Sequence, residues 1–149
     1  NIITKIKPVL AKPGSRNIKF YISDNFLSFW FRFIYKYRSA IEISNYKYLK
    51  EIVKNDFDSY CGRLLEKYFI EKIKLSEDYG IIGNYWERGN KNEIDIVAVN
   101  DRNKKMLFAE VKMNKKQINK NKLIEKSKKL RDQYPNYSFD YKGYSLEDM

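Results

Sequence analysis

Asp95, Glu110 and Lys112 lie in two segments whose alternation fixes where they fall relative to one another. Glu93-Ile94-Asp95-Ile96-Val97-Ala98 and Phe108-Ala109-Glu110-Val111-Lys112 read as strands of one hairpin, turned by Asp101-Arg102-Asn103-Lys104. With those four residues as the loop, Asn100 faces Lys105. Counting outward then sets Asp95 opposite Glu110 and Glu93 opposite Lys112. Directly opposed residues share a face, with Cβ atoms about 5 Å apart. Asp95, Glu110 and Lys112 thus gather at one end of one face, while Ile94, Ile96, Ala98, Leu107, Ala109 and Val111 fill the other. A slip of one residue would separate the two carboxylates. Two carboxylates this close repel, and a cation between them accounts for the pair better than their own attraction. The chain has no histidine and one cysteine, so that cation is hard and oxygen-liganded, Mg²⁺ or Mn²⁺. Lys112 on the same face can hold a water or offset charge on a phosphate. Cation plus lysine is the equipment of phosphodiester hydrolysis: a nucleophile made from water and compensation of the developing negative charge. Glu66, aligned with Gly62, Phe69, Ile70 and Ile73 on a preceding helix, can reach the same place. The bland alternative is a surface ladder in which Glu93 pairs Lys112 while Asp95 and Glu110 are solvated.

Composition narrows the rest. In 149 residues, 30 Lys+Arg against 19 Asp+Glu give a formal charge of +11. This length suits one domain, or a small domain plus an appendage, with an ordinary core. The absence of histidine removes the Ser-His-Asp and Cys-His couples and His-ligated zinc. No GxxxxGK[ST] is present, so these residues bind no nucleotide through a P-loop. Cys61 has no intrachain partner, and no secretory leader is legible, so a cytoplasmic setting is expected. The most apolar run, Phe26 to Tyr35, is interrupted by Ser28 and Arg32 and falls short of the roughly 20 residues a bilayer requires; no membrane association is expected. The chain opens at Asn1 and enters a structured pattern at once, and it reads as a piece of a longer protein.

The elements that must position these residues fall into two parts, 1–54 and 55–149. In the first, Ile2, Ile3, Ile6, Val9 and Leu10 lead to a turn at Lys12-Pro13-Gly14-Ser15. The alternating run Asn17 to Ile22 follows, giving a two-stranded ribbon or wing. Ser23 or Asp24 caps the aromatic segment Phe26 to Tyr35, which is apolar all round and is expected to be buried. A modest amphipathic stretch, Tyr46 to Val53, connects onward. In the second part, a helix starting at Asn55-Asp56 runs to about Leu75, with Phe57, Tyr60, Cys61, Leu64, Leu65, Tyr68 and Phe69 at spacings of three and four. Strands follow at Ile81 to Glu87, Glu93 to Val99 and Lys105 to Met113. A lysine-rich helix spans about Lys115 to Gln133, and a last strand lies within Tyr137 to Leu146. The class is α/β.

A helix with Glu66, a second strand with Asp95 and a third with Glu110-Val111-Lys112 resemble the PD-(D/E)XK nucleases, whose restriction-endonuclease-like core has the order αβββαβ. More narrowly, the residues Ser23 to Phe33, Tyr60-Cys61-Gly62-Arg63-Leu64-Leu65-Glu66, Tyr85-Trp86 and Glu93 to Ala98 are similar to the C-terminal nuclease-like domain of archaeal-type AAA/STAND ATPases. That resemblance covers essentially the whole chain. It implies that 1–54 is a winged-helix remnant with a helical connector and that 55–149 is the nuclease-like domain. It also implies a covalently linked N-terminal P-loop ATPase lying outside this sequence. For the site it implies that Asp95, Glu110, the carbonyl of Val111 and Glu66 hold Mg²⁺, and that Lys112 assists the attacking water. Ile94 stands where the signature has proline.

Lys115, Lys116, Lys120, Lys122 and Lys126 on the helix after the third strand are candidate contacts to nucleic acid, DNA rather than RNA, along a phosphate backbone. Their alternative is a solvated face. Gln117 is a candidate auxiliary residue, and Glu87 and Asp78 read as surface positions. The expected function is an Mg-dependent nuclease domain attached to an ATPase; the alternative is an inactive nuclease-like module that docks DNA or protein.

Overall fold

The computed structural model describes residues 2–149. Contacts divide the chain into two compact units: the residues up to Ile6 with Ile18–Cys61, and Lys7–Asn17 with Gly62–Met149. The expected division at 54/55 falls inside one continuous helix.

In the first unit, β1 (Ile3–Ile6) and β2 (Lys19–Ile22) pair antiparallel, from Ile3 opposite Ile22 to Ile6 opposite Lys19, which is the anticipated ribbon. Asp24 caps α1 (Asn25–Phe29) by accepting from the Leu27 amide at 2.8 Å. A π-helical turn, Trp30–Ile34, and a 3₁₀ turn, Tyr35–Tyr37, lead to α2 (Arg38–Glu42). The aromatic segment is not buried all round: Phe33 is fully enclosed, whereas Phe26 is 69% exposed and Tyr35 51%. Phe29 and Phe33 set their rings against Tyr60 at centroid distances of 5.8 and 5.7 Å, so the short turns have a packing partner on one side.

Helix α3 (Tyr46–Lys74) absorbs both the expected connector and the expected helix from residue 55. Its start is set by Asn45, whose side chain accepts from the Tyr48 amide at 3.2 Å. Asn55 and Asp56 have the side chains of an N-terminal cap, but Asp56 is taken by a two-pronged pair with Arg32, at 2.6 and 2.7 Å, and lies mid-helix. The local signal was real; a tertiary partner claimed it.

The second unit is a four-stranded mixed sheet in the order β3 (Ile81–Glu87), β4 (Lys91–Asn100), β5 (Lys105–Val111), β6 (Ser138–Tyr144). The first three strands are antiparallel neighbours, and β6 is parallel to β5. Leu65, Phe69 and Ile73 of α3 pack with Ile96, Ala98, Leu107, Ala109 and Val111 on one face. Leu123 and Leu130 pack with Val97, Val99, Met106 and Phe108 on the other. A sheet apolar on both faces needs a cover on each, which explains the near-continuous hydrophobic runs in β4 and β5.

The lysine-rich helix is broken where one helix was expected. A 3₁₀ turn, Lys115–Gln117, is capped by Asn114. Asn119 caps α4 (Lys120–Lys126) by accepting from the Lys122 amide at 3.0 Å. Helix α5 (Lys128–Gln133) begins after Ser127, a buried hydroxyl bonded to the Ile124 carbonyl at 2.8 Å and to the Tyr141 hydroxyl at 3.0 Å. Asparagine and serine compete for backbone groups, and two of them, Asn119 and Ser127, cut the segment. Among the described residues no helix is long and apolar enough to cross a membrane.

Candidate functional site

The hairpin register is as the alternation requires. Asn100 pairs Lys105, and the ladder runs inward to Ile96 opposite Ala109, so Asp95 and Glu110 are the next positions on the two strands. On its other side β4 carries an extra residue: Gly83 pairs Val97, but Tyr85 pairs Ile94. This bulge sends Ile94 to the α4 face with Val97 and Val99, and corrects its expected placement beside Ile96 and Ala98. Asn84 sits opposite the bulge. Its amide donates to the Asp95 carbonyl at 2.7 Å, and its own carbonyl accepts from the Val9 amide at 2.8 Å. A polar Asn in the middle of an apolar strand was the available signal for this irregularity.

Asp95 and Glu110 are not solvated surface groups: their side chains are 14% and 6% exposed. This removes the surface-ladder alternative, which needs both carboxylates in water. One Asp95 oxygen accepts from the Val111 backbone amide at 2.8 Å. Glu110 Oε2 accepts from the Asn119 amide at 2.9 Å, so the residue that caps α4 also ties the helix start to the carboxylate. Lys112 Nζ bridges the pair, 3.7 Å from Asp95 Oδ2 and 3.5 Å from Glu110 Oε1. Its backbone amide donates to the Tyr144 carbonyl at 3.0 Å, carrying the β5–β6 pairing one residue further and fixing the lysine's origin.

Glu66 reaches the same cluster from α3. Burial, and then the charges of Asp95 and Glu93, push its carboxyl up to about 8, against smaller pulls from Lys112 and Arg63. Burial also raises Asp95, opposed by the Val111 amide and by the charges of Lys112 and Lys126. Asp95, Glu110 and Lys112 therefore meet, and Glu66 lies near enough for the charges of Asp95 and Lys112 to act on it.

The five lysines of the next segment divide. Lys126, leaning back from the end of α4, has its ammonium 3.9 Å from Glu110 Oε1 and its side chain 23% exposed. Lys116, Lys120 and Lys122 are exposed. Lys115 is turned to the chain end, 3.9 Å from Glu147 and 3.7 Å from Asp148. Gln117 is exposed. Neither the Asn119 amide nor the contact of Lys126 with Glu110 is among the expectations drawn from sequence; an asparagine ahead of Lys120–Lys126 is the signal that marks a cap at 119, and nothing local marks its second bond.

The donor set is of the kind a hard divalent cation takes: carboxylate oxygens held by backbone amides, with no histidine in the chain and no thiolate beside them. Among the described residues no group of three or more acidic, histidine or cysteine side chains is drawn together tightly enough to hold an ion as it stands. The carboxylates are arranged around ammonium groups.

Residues 30–138 match a family described as archaeal and bacterial proteins of unknown function, DUF234. The chain belongs to that family. It is also similar to an uncharacterized protein of Methanocaldococcus jannaschii, 38% identical over 117 residues, which are 74% of this chain and 26% of the relative. The chain thus spans about a quarter of the length of that curated relative. No solved structure matches it.

Proposed function

We propose that the second unit is a restriction-endonuclease-like domain of the PD-(D/E)XK type that hydrolyses phosphodiesters in nucleic acid, DNA rather than RNA, with Mg²⁺ or Mn²⁺. The observation that carries the reading is the meeting of Asp95, Glu110 and Lys112 on two adjacent strands, with Glu66 of the preceding helix within range of the Asp95 charge. The order α3, β3, β4, β5, α4 with α5, β6, with β6 parallel to β5, supports the αβββαβ reading when α4 and α5 count as one broken helix.

In this reading Asp95, Glu110 and the Val111 carbonyl hold the cation, with Glu66 contributing from α3. When bound, the cation supplies Lewis acidity and lowers the pKa of water. The chain's own residues do the rest. The amides of Val111 and Asn119 hold one oxygen each of Asp95 and Glu110, which limits how far the two carboxylates must turn on binding. Lys112 provides positive charge where a phosphate oxygen gains negative charge. Water attacks phosphorus in line: one P–O bond forms as the bond to the leaving oxygen breaks, the attacking water gives up a proton to solvent, and the leaving oxygen takes one from solvent, so the proton count closes. Lys120 and Lys122, exposed on α4, would meet neighbouring phosphates. The linked P-loop ATPase is part of the proposal, and the M. jannaschii relative is long enough to carry one.

The deciding experiment is cleavage of plasmid, single-stranded and branched DNA and RNA in Mg²⁺ and Mn²⁺, wild type beside Asp95→Asn and Glu110→Gln. The reading requires activity that both substitutions abolish. One observation favours a second reading, an inactive module that docks DNA or protein for the ATPase: two ammonium groups already lie within 4 Å of Glu110 Oε1 and neutralise it from inside the chain. That reading requires no cleavage, with nucleic-acid binding unchanged in Asp95→Asn.

A further inference from the structure

We propose that Lys126 is a phosphate-binding residue parked on the metal carboxylate: without metal its ammonium sits on Glu110, and a divalent cation at Glu110 releases it to a backbone phosphate of nucleic acid. This rests on the reading of Glu110 as a metal carboxylate.

Glu110 is saturated with positive partners. Oε2 takes the Asn119 amide at 2.9 Å, and Oε1 is shared by Lys112 at 3.5 Å and Lys126 at 3.9 Å. Lys112 comes from the residue after β5 and also faces Asp95, so it keeps a carboxylate partner when Glu110 is engaged elsewhere. Lys126 has Glu110 as its ion-pair partner at this centre, and its charge reaches Asp95 only at longer range. A divalent cation on Oε1 would compete directly with both ammonium groups and repel them. Lys126, on a flexible stem rooted in another element, is the one that can leave.

Its direction of departure is set by the helix. Lys126 ends α4, and Lys120 and Lys122, at the start of the same helix, are already in solvent. A phosphate approaching the site along α4 offers the displaced ammonium a new anion. Metal and nucleic acid would then bind with positive coupling, and by linkage each would strengthen the other by the same factor.

The test uses the whole chain and two separable binding readouts: Mn²⁺ alone by titration calorimetry, and a short DNA duplex with Ca²⁺ or EDTA. Wild type is compared with Lys126→Met, Lys126→Arg and Glu110→Gln. Removing the competing ammonium in Lys126→Met should tighten Mn²⁺ about threefold to tenfold. In the same variant the gain in DNA affinity that Ca²⁺ confers on wild type should disappear. Lys126→Arg, which keeps the charge, should behave as wild type and shows that a lost fold is not the cause. The inference is overturned if Lys126→Met leaves both Mn²⁺ affinity and the Ca²⁺-linked gain unchanged while Glu110→Gln abolishes Mn²⁺ binding; the metal reading then survives. If wild type binds no Mn²⁺, both fall together.

Discussion

Replacing Glu66 with Gln keeps the side chain's shape and removes its charge. In the folded chain burial, and then Asp95 and Glu93, lift the Glu66 carboxyl from 4.5 to about 8. Between those values the folded state holds a proton that the unfolded state has released. The stability this group contributes is therefore complete below pH 4.5 and is lost as pH rises through about 8. At about 1.4 kcal/mol per unit, a rise from 4.5 to about 8 corresponds to about 5 kcal/mol. Water reaching the half-buried side chain reduces this, and about 2–5 kcal/mol is expected. Burial raises Asp95 in the same direction. Urea unfolding in EDTA at about pH 5.5, 7 and 8.5 measures it: wild type should weaken steadily, and Glu66→Gln should be flatter and more stable than wild type at the alkaline end. Parallel pH profiles for the two proteins would refute the argument, because burial and mutual repulsion of the carboxylates would then not govern Glu66.

Gly143, paired with Glu110 across β5 and β6, tolerates no side chain: a Cβ there would lie 2.5 Å from Ile118 Cγ2. Gly143→Ala should cost about 1–3 kcal/mol in urea unfolding, with part recovered by adding Ile118→Ala. For nucleic acid, each of Lys120→Ala and Lys122→Ala should lower the slope of log affinity against log salt by about 1, measured by fluorescence anisotropy. Lys115→Ala should change it less, because Lys115 already faces Glu147 and Asp148.

The strands and their register were legible because alternation with period 2 is a local property of the chain. Asp101 to Lys104 turned the hairpin as composition indicated, and the pairing of Asn100 with Lys105 then carried Asp95 and Glu110 together. Glu66 was legible as a glutamate out of place on the apolar side of its helix. Helix limits were not. Asn55 and Asp56 carry a start signal that Arg32 overrides from a distant part of the chain, and nothing near residue 55 in the sequence announces that partner.

By itself, then, the sequence determined the α/β class, the two-stranded ribbon, the central hairpin and the neighbouring positions of Asp95 and Glu110 on it, since residue type, spacing and turn composition act over a few neighbouring positions. Tertiary structure alone decided the β4 bulge that turns Ile94 across the sheet, the breaks at Asn119 and Ser127, the partial exposure of the Phe26 to Tyr35 aromatics, and the separation of Lys126 from the other lysines. Each of these depends on which distant group satisfies a buried polar atom or covers an apolar face. Lys126 differs from Lys122 by one helical turn in sequence, but only the fold brings Glu110 within reach of one of them.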